Sequence, residues 1–548
     1  MVLFGKKSET APELKEIKPV EKEEERKKRG FKLFGRGGEK KEYVKPPPVI
    51  LKEMPPDALT VEEYQIEPPF SKVTIASLPQ LGGSMAYYIN EVKLTESEDA
   101  IFQKLLEIIC REIEPPGPDV DVKTHIEREA YRLAKKYGLA KKISTESWPK
   151  IIYYLKRDLV GLGPIHVIMN DRMIEDLSVN GLYIPVFVWH RKYESIPTNL
   201  IFNDEEALDN LIVKLTHLSQ KHISTAFPIL DAMLPGKDRL AATFKREVSP
   251  KGGTFTIRRF REEPYSIVDL IELKTIDENI AAYFWLLIEN RMTVAVIGGT
   301  GAGKTSTLNA LASLIKPSMK IVTVEEIPEI NLVHDNWVQL ISRESYGLGV
   351  HKIGEIGLFD LVKMSLRYRP DYIIVGEIRG EEAFVLFQAL ATGHGGMTTL
   401  HAESLEYAIK RLTSPPMNVA PAYVPLINVS AMQERVQLPK SITGMSFGRR
   451  VRSVAEIGDI DNYMSVASWN PANDTYECEF ENSIMLRRVA MRHGVTLQET
   501  LAELNNRAEF LRDLRAKGIR NNVQVAKMIT SYYLNSPFPR PKIKVAQN

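Results

Sequence analysis

At 548 residues the chain is long enough for roughly three or four domains of about 150 residues each, and 44% hydrophobic with 26% charged residues excludes a wholly disordered or fibrous polymer. The formal charge of +2 lacks the basic excess that favours binding nucleic acid by counterion release, so a nucleic-acid partner is not expected. Cys110 and Cys478 are the only cysteines, so one chain can build neither a disulfide framework nor a four-cysteine zinc site, and a reducing compartment fits best.

Residues 6–56 alternate lysine and glutamate runs, carry Gly35-Arg36-Gly37-Gly38 and end in Pro46-Pro47-Pro48, a composition that buries no core. Residues 1–57 are therefore predicted to be a disordered charged tail. Within it, Phe4-Gly5-Lys6-Lys7 and Phe31-Lys32-Leu33-Phe34-Gly35-Arg36 set aromatics beside cations, which suits a partner or an anionic lipid surface, although a solvated leader has the same composition. Met1-Val2-Leu3-Phe4 is cut short by Lys6-Lys7 before a signal-peptide core forms, and no apolar run approaches the ~20 residues needed to cross a bilayer. Membrane contact is expected to be peripheral.

Residues 58–264 predict a separate α+β domain in which helices come first. Ile101, Leu105, Ile108 and Ile109 have helical spacing, residues 151–162 continue it, and strands follow. Val186-Phe187-Val188-Trp189 and Phe255-Thr256-Ile257-Arg258 have the β-branched and aromatic density of strands. Between them, residues 204–222 read as a helix burying Leu208, Leu211, Ile212 and Leu215.

Over residues 265–440 the pattern becomes βα alternation. Apolar runs at 294–297, 321–324 and 372–375 are separated by helical patterns, as in a largely parallel sheet covered by helices. Beyond residue 440 the alternation stops. Residues 441–548 are predicted to be a C-terminal appendage of that domain, with a charged helix over 496–517 placing Leu497, Leu501, Leu504 and Leu511 on one face. The fold class is α/β, a C-terminal P-loop core with a separate α+β N-terminal domain.

Gly298-Gly299-Thr300-Gly301-Ala302-Gly303-Lys304-Thr305 matches G-x-x-x-x-G-K-[ST], directly after a predicted strand and ahead of a helix that begins at Ser306. Such a loop turns backbone N–H groups onto phosphate oxygens. Lys304 reaches the β- and γ-phosphates and the Thr305 hydroxyl ligates Mg²⁺, so ATP and Mg²⁺ are the expected ligands. A second metal-facing acid belongs at the carboxyl end of a neighbouring strand. Glu377 lies just past residues 372–375, whereas Asp371 stands at their beginning and reads as a turn residue. Glu325, Glu326 and Glu329 follow the strand at 321–324, where one carboxylate can orient the attacking water; Glu325 is favoured and Glu326 stays open. His401, after Thr398-Thr399-Leu400, can read the γ-phosphate or a partner carboxylate, or be a hydrogen-bonded structural residue.

In this order the segments resemble the secretion-type ATPases that power type II secretion, type IV pili and archaella. Residues 298–305 match their Walker A, 324–329 their aspartate box, 373–379 their Walker B and 393–403 their histidine box. The resemblance implies a RecA-like core in a cytoplasmic homohexamer at the inner face of the membrane. Its two-lobed subunits would swing on ATP turnover and move a polytopic membrane platform protein. It also gives His401 a functional role. Residues 64–69, 87–94, 176–181 and 228–232 look like the archaeal branch, in which Arg239 and Arg258 are similar to N-domain arginines that reach nucleotide phosphates. Arg259 reads as a structural salt-bridging residue. Glu325-Glu326 departs from the bacterial glutamate-aspartate pair, and the bacterial tetracysteine zinc module is absent from the sequence. The archaellum motor ATPase, with a KaiC-like accessory ATPase as partner, is the first reading of the resemblance. An archaeal adhesive-pilus or type II secretion ATPase is the second, and balanced charge argues against a nucleic-acid translocase.

Overall fold

Two sheets, each with its own apolar core, organise the computed structural model, which describes residues 48–117, 120–261, 263–343, 354–438, 447–459, 462–535 and 538. The tail reading for residues 1–47 lies outside the described residues. The first sheet contains β1 (Val49–Leu51), β2 (Leu59–Glu67), β3 (Ser71–Leu78), β4 (Ser84–Glu91), β5 (Ile174–Val179), β6 (Pro185–His190), β7 (Glu194–Phe202), β8 (Ile229–Met233), β9 (Arg239–Thr243) and β10 (Thr254–Arg258). Its order is β2-β3-β4-β7-β6-β5-β10-β9-β8, with β1 added on β7. Val73, Ile75, Tyr87 and Ile89 alternate along β3 and β4 and send one face into the core.

Two sequence expectations change here. Val49 registers with Phe202, so the chain joins the sheet inside the stretch 1–57 assigned to the tail. Strands β2, β3 and β4 also precede the helices rather than follow them. The helices Glu96–Glu112, Val122–Lys136 and Ser147–Leu159 form a separate small core from Leu105, Ile109, Leu133, Ile151 and Leu155. Thr95 starts the first of them with a reciprocal capping box to Glu98. The helix predicted over 204–222 is present as Glu205–Leu218, with all four leucine and isoleucine positions buried.

The second sheet contains β11 (Val294–Gly298), β12 (Ile321–Glu325), β13 (Trp337–Ile341), β14 (Tyr372–Val375), β15 (Gly395–Leu400), β16 (Val429–Gln437), β17 (Phe447–Asp459), β18 (Asn462–Asn470) and β19 (Thr475–Cys478), in the order β13-β12-β14-β15-β11-β16-β17-β18-β19. From β13 to β16 every pairing is parallel, and from β16 to β19 every pairing is antiparallel. Parallel strands need cover on both faces, which explains why β11, β12 and β14 are unbroken buried runs.

The boundary drawn at residue 440 does not divide this sheet, because β17 pairs with β16 along most of its length. The helix Leu497–Ala516 shares one core with the helix Glu278–Glu289. Its Leu497 and Leu501 are only partly buried, and charged residues go in with Leu504 and Leu511 instead. Arg507, 1% exposed, donates to Glu503 at 2.9 Å and to Glu289 at 2.5 Å, with its guanidinium 4.8 Å from the Trp285 ring centroid. Arg450 forms a second buried pair with Asp474, at 2.7 and 3.0 Å. Among the described residues no helix is long and apolar enough to cross a membrane.

Removing one partner of a buried ion cluster strands the others in a medium that solvates them poorly. Arg507→Ala is expected to cost about 3–5 kcal/mol in denaturant unfolding. Lys517→Ala, which breaks an exposed pair with Asp513, should cost no more than about 0.5 kcal/mol. Similar unfolding midpoints for the two variants would contradict this account of the C-terminal packing.

Candidate functional site

β11 ends against β16 so closely that a Cβ at Gly298 would stand 2.2 Å from the Gln433 carbonyl oxygen. The loop then turns through Gly301 (φ +72°) and Gly303 (φ +90°), both in the left-handed region that favours glycine. These turns deliver the chain into the helix Lys304–Ala312. The first amides of a helix have no partner within it, so this start suits an anion. Lys304 Nζ donates to the Gly299 carbonyl at 2.9 Å, spanning the loop. Burial lowers the Lys304 ammonium below its usual pKa, and the nearby Glu377 opposes that shift. Thr305 is half-buried in the first helical turn and Ser306 is exposed.

Three neighbouring strand ends are pinned at Gly376. Its N–H donates to the Val324 carbonyl at 3.0 Å and its carbonyl accepts from the Thr399 hydroxyl at 2.8 Å. Glu377 follows, half-buried, and accepts from Arg379 at 2.6 Å. Asp371, at the other end of β14, accepts from the Lys320 N–H at 2.8 Å and from Arg291, as a turn residue does.

Glu325 closes β12 and is 3% exposed. One oxygen accepts from the Glu329 and Ile330 amides at 2.9 and 2.8 Å, and the other from Gln339 at 3.1 Å. Burial raises its pKa to about 7 against the pull of these donors. Glu326 and Glu329 are exposed. His401 is the first residue after β15, and Leu400 registers with Ile297, so the histidine emerges beside the start of the phosphate loop. It is exposed, and its carbonyl accepts from Arg411.

Arg239 and Arg258 stand directly opposite each other on β9 and β10. Arg239 is paired with Asp231 at 2.5 and 3.2 Å, and Arg258 with Asp176 at 3.0 Å. The Asp231 hydrogen bond raises the Arg239 pKa against partial burial, and the charges of Glu329 and Arg379, from loops of the second sheet, make smaller opposing contributions. Arg259 donates to the Asp171 carbonyl; this role is structural, but it differs from the expected salt bridge because the acceptor is backbone.

Lys304, Glu377, Arg379 and Glu329 thus share one electrostatic neighbourhood, with Arg239 at its margin. Two neighbours of the loop carried no motif in the sequence. Arg449 on β17 donates to the Gly301 carbonyl at 3.1 Å and lies 3.5 Å from Glu175 of the first sheet. Gln433 is 1% exposed, and its side-chain oxygen has no partner among the described residues. The only available signal was the run Gly448-Arg449-Arg450-Val451-Arg452, which falls in the segment read as an appendage.

A strand, a glycine-turned loop and a helix carrying lysine and threonine at its start, with acids at adjacent parallel strand ends, define a nucleotide-binding P-loop ATPase. Residues 159–518 match the family described as Type II/IV secretion system protein, and the chain belongs to that family. It is similar to an uncharacterised protein of Methanocaldococcus jannaschii, 36% identical over 414 residues and 73% of each chain. A second uncharacterised protein of that organism is 42% identical over 270 residues, 48% of this chain and 96% of its own length. Among solved structures it is similar to the ATPase DotB of Legionella pneumophila, 16% identical, covering 69% of this chain and 95% of that one with a TM-score of 0.39.

The close approach at Gly298 can be tested against its neighbour. Gly298→Ala is expected to lose about 1–3 kcal/mol in urea unfolding through overpacking against β16. Gly299→Ala, whose Cβ meets nothing within 4 Å, should lose less than about 1 kcal/mol. Equal losses would show that strand spacing does not fix the loop.

Proposed function

We propose that the chain is a cytoplasmic hexameric motor, peripheral to the membrane, that hydrolyses Mg-ATP to drive assembly or rotation of an archaeal type IV pilus-like filament. Its phosphates rest on the loop from Gly298 to Thr305, with Lys304 against the β- and γ-phosphates. The Thr305 hydroxyl and the Glu377 carboxylate are hard oxygen donors of the kind Mg²⁺ accepts, and they hold the ion. When bound, the ion neutralises charge on the β- and γ-oxygens.

Glu325 orients the attacking water, and in doing so exchanges one of its amide donors for it. The burial that brings this carboxyl close to neutrality favours it over the exposed Glu326. His401 senses the γ-phosphate. Arg239 and Arg258 approach the phosphates from the N-terminal lobe, which makes lobe position depend on nucleotide.

The observation that carries this reading is the gathering of Lys304, Glu377, Glu329 and Arg379 at the carboxyl ends of parallel strands. Family membership supports a secretion or pilus role, and the M. jannaschii relatives support the archaeal branch. Within that branch the archaellum is the filament we assign. A polytopic platform protein and a KaiC-like accessory ATPase are its proposed partners.

Lys304→Ala and Glu377→Gln are each expected to reduce steady-state ATP turnover by about 100-fold or more. Near-normal rates in both would overturn the assignment. In the wild-type chain turnover should rise with pH through about 7, because Glu325 is protonated below that value and acts as a base only when ionised. In Glu325→Gln the residual rate should lose that step. Deleting the gene should abolish swimming filaments; intact archaella with lost adhesion would reassign the motor to an adhesive pilus.

A further inference from the structure

Arg239 and Arg258 are the middle pair of a charged row across the first sheet, with an aspartate at each end. Arg258 registers with Asp176 of β5 on one side and with Arg239 of β9 on the other, and Asp231 sits on β8 diagonally beyond Arg239. The two guanidinium groups are therefore cross-strand neighbours of like charge, an arrangement that destabilises a sheet unless something neutralises it. Each outer carboxylate does so for the arginine beside it, leaving the pair at a groove of about 380 Å³ floored by Phe187 and Trp189. All four side chains are partly exposed, between 27% and 59%, so both pairs are screened by solvent; the Asp231 pair is bidentate and the Asp176 pair rests on one bond.

The same region of the sheet is turned toward the phosphate loop. Arg449 touches both the Gly301 carbonyl and Glu175, the residue before Asp176, and Arg435 of β16 pairs with Glu194 and lies over Trp189.

We propose that Asp231 and Asp176 are positioning residues, holding Arg239 and Arg258 in a parked state that a nucleotide phosphate must win away and that re-forms after hydrolysis. The inference rests on the reading of these arginines as phosphate-reaching groups. A triphosphate offers more negative charge than a single carboxylate and accepts a guanidinium in the same bidentate geometry that Asp231 does, so charge decides the competition for a solvent-screened pair. After cleavage and loss of phosphate the carboxylates recapture the arginines and reset the lobe. They thus raise the ATP concentration needed for engagement and speed product release.

The test is steady-state ATP hydrolysis by the full chain carrying Asp176→Asn and Asp231→Asn together. Without competing carboxylates KM for ATP should fall about 3- to 10-fold. The rate kcat should fall with it, because release is no longer assisted. Damage to the sheet alone would lower kcat while raising KM or leaving it unchanged, and that result overturns the proposal. Asp176→Glu with Asp231→Glu, which keeps both charges, should restore KM and kcat toward wild type; failure to do so also overturns it.

Arg239→Ala with Arg258→Ala separates this from the underlying reading. If that variant turns over ATP like wild type, the phosphate-reaching role fails and the parking role with it. If it loses turnover while the asparagine variant keeps a wild-type KM, only the parking role is lost.

Discussion

Parallel hydrogen bonding of β11 to β15 on one side and to β16 on the other is the constraint from which the site follows. Parallel neighbours release their next loops at the same end of the sheet. The phosphate loop, the acidic loop after β12, the Glu377 loop after β14 and His401 after β15 therefore emerge together without any one segment specifying the others. The spacing that makes this ladder leaves no room for a side chain at Gly298. It also brings Gln433, from the strand on the far side, against the loop. Covering both faces requires apolar residues throughout, and the polar chemistry is confined to the strand ends.

The antiparallel extension serves the same lobe in a different way. Along β17 successive side chains point to opposite faces, so adjacent arginines have opposite fates. Arg450 turns inward, pairs with Asp474 and donates to the Leu273 carbonyl at 3.0 Å, fastening the extension to the start of the lobe. Arg449 turns outward to the phosphate loop and the first sheet. Arg507 fastens the C-terminal helix to the helix Glu278–Glu289 through a largely buried ion cluster. Such clusters are expensive to desolvate and costly to break on one side, so they fix register and orientation even where they add little net stability.

How much of this was legible in the sequence depended on burial. Strands at 294–297, 321–324 and 372–375 stood out because doubly covered parallel strands are written as Val and Ile runs between turn residues. The helix over 204–222 showed its buried face directly. By contrast β2 carries Glu62, Glu63 and Glu67 and exposes Leu59 and Val61, so its pattern resembles a polar loop, and β1 is three residues long. The region after residue 440 reads as an appendage because the βα alternation stops there, and its pairing with β16 is hidden because β17 carries arginines on both faces. The placement of Lys304 and Thr305 at the start of a helix, and of Glu325 and Glu377 at strand ends, was legible through motif and strand pattern. Arg449 and Gln433 were not, since their positions depend on strand pairing across more than a hundred residues. The carboxylate partners of Arg239 and Arg258 were equally hidden, because register, not sequence distance, brings them together.

The central claim is that one nucleotide site is completed by groups from both sheets. It is tested most directly by determining the structure of the full chain with Mg²⁺ and a nonhydrolysable ATP analogue. The account predicts phosphate oxygens on the amides of the loop from Gly298 to Thr305, with the Arg239 guanidinium at about 3 Å from a phosphate oxygen, having left Asp231. A nucleotide bound in that loop while Arg239 and Arg258 both stay on their carboxylates would contradict it.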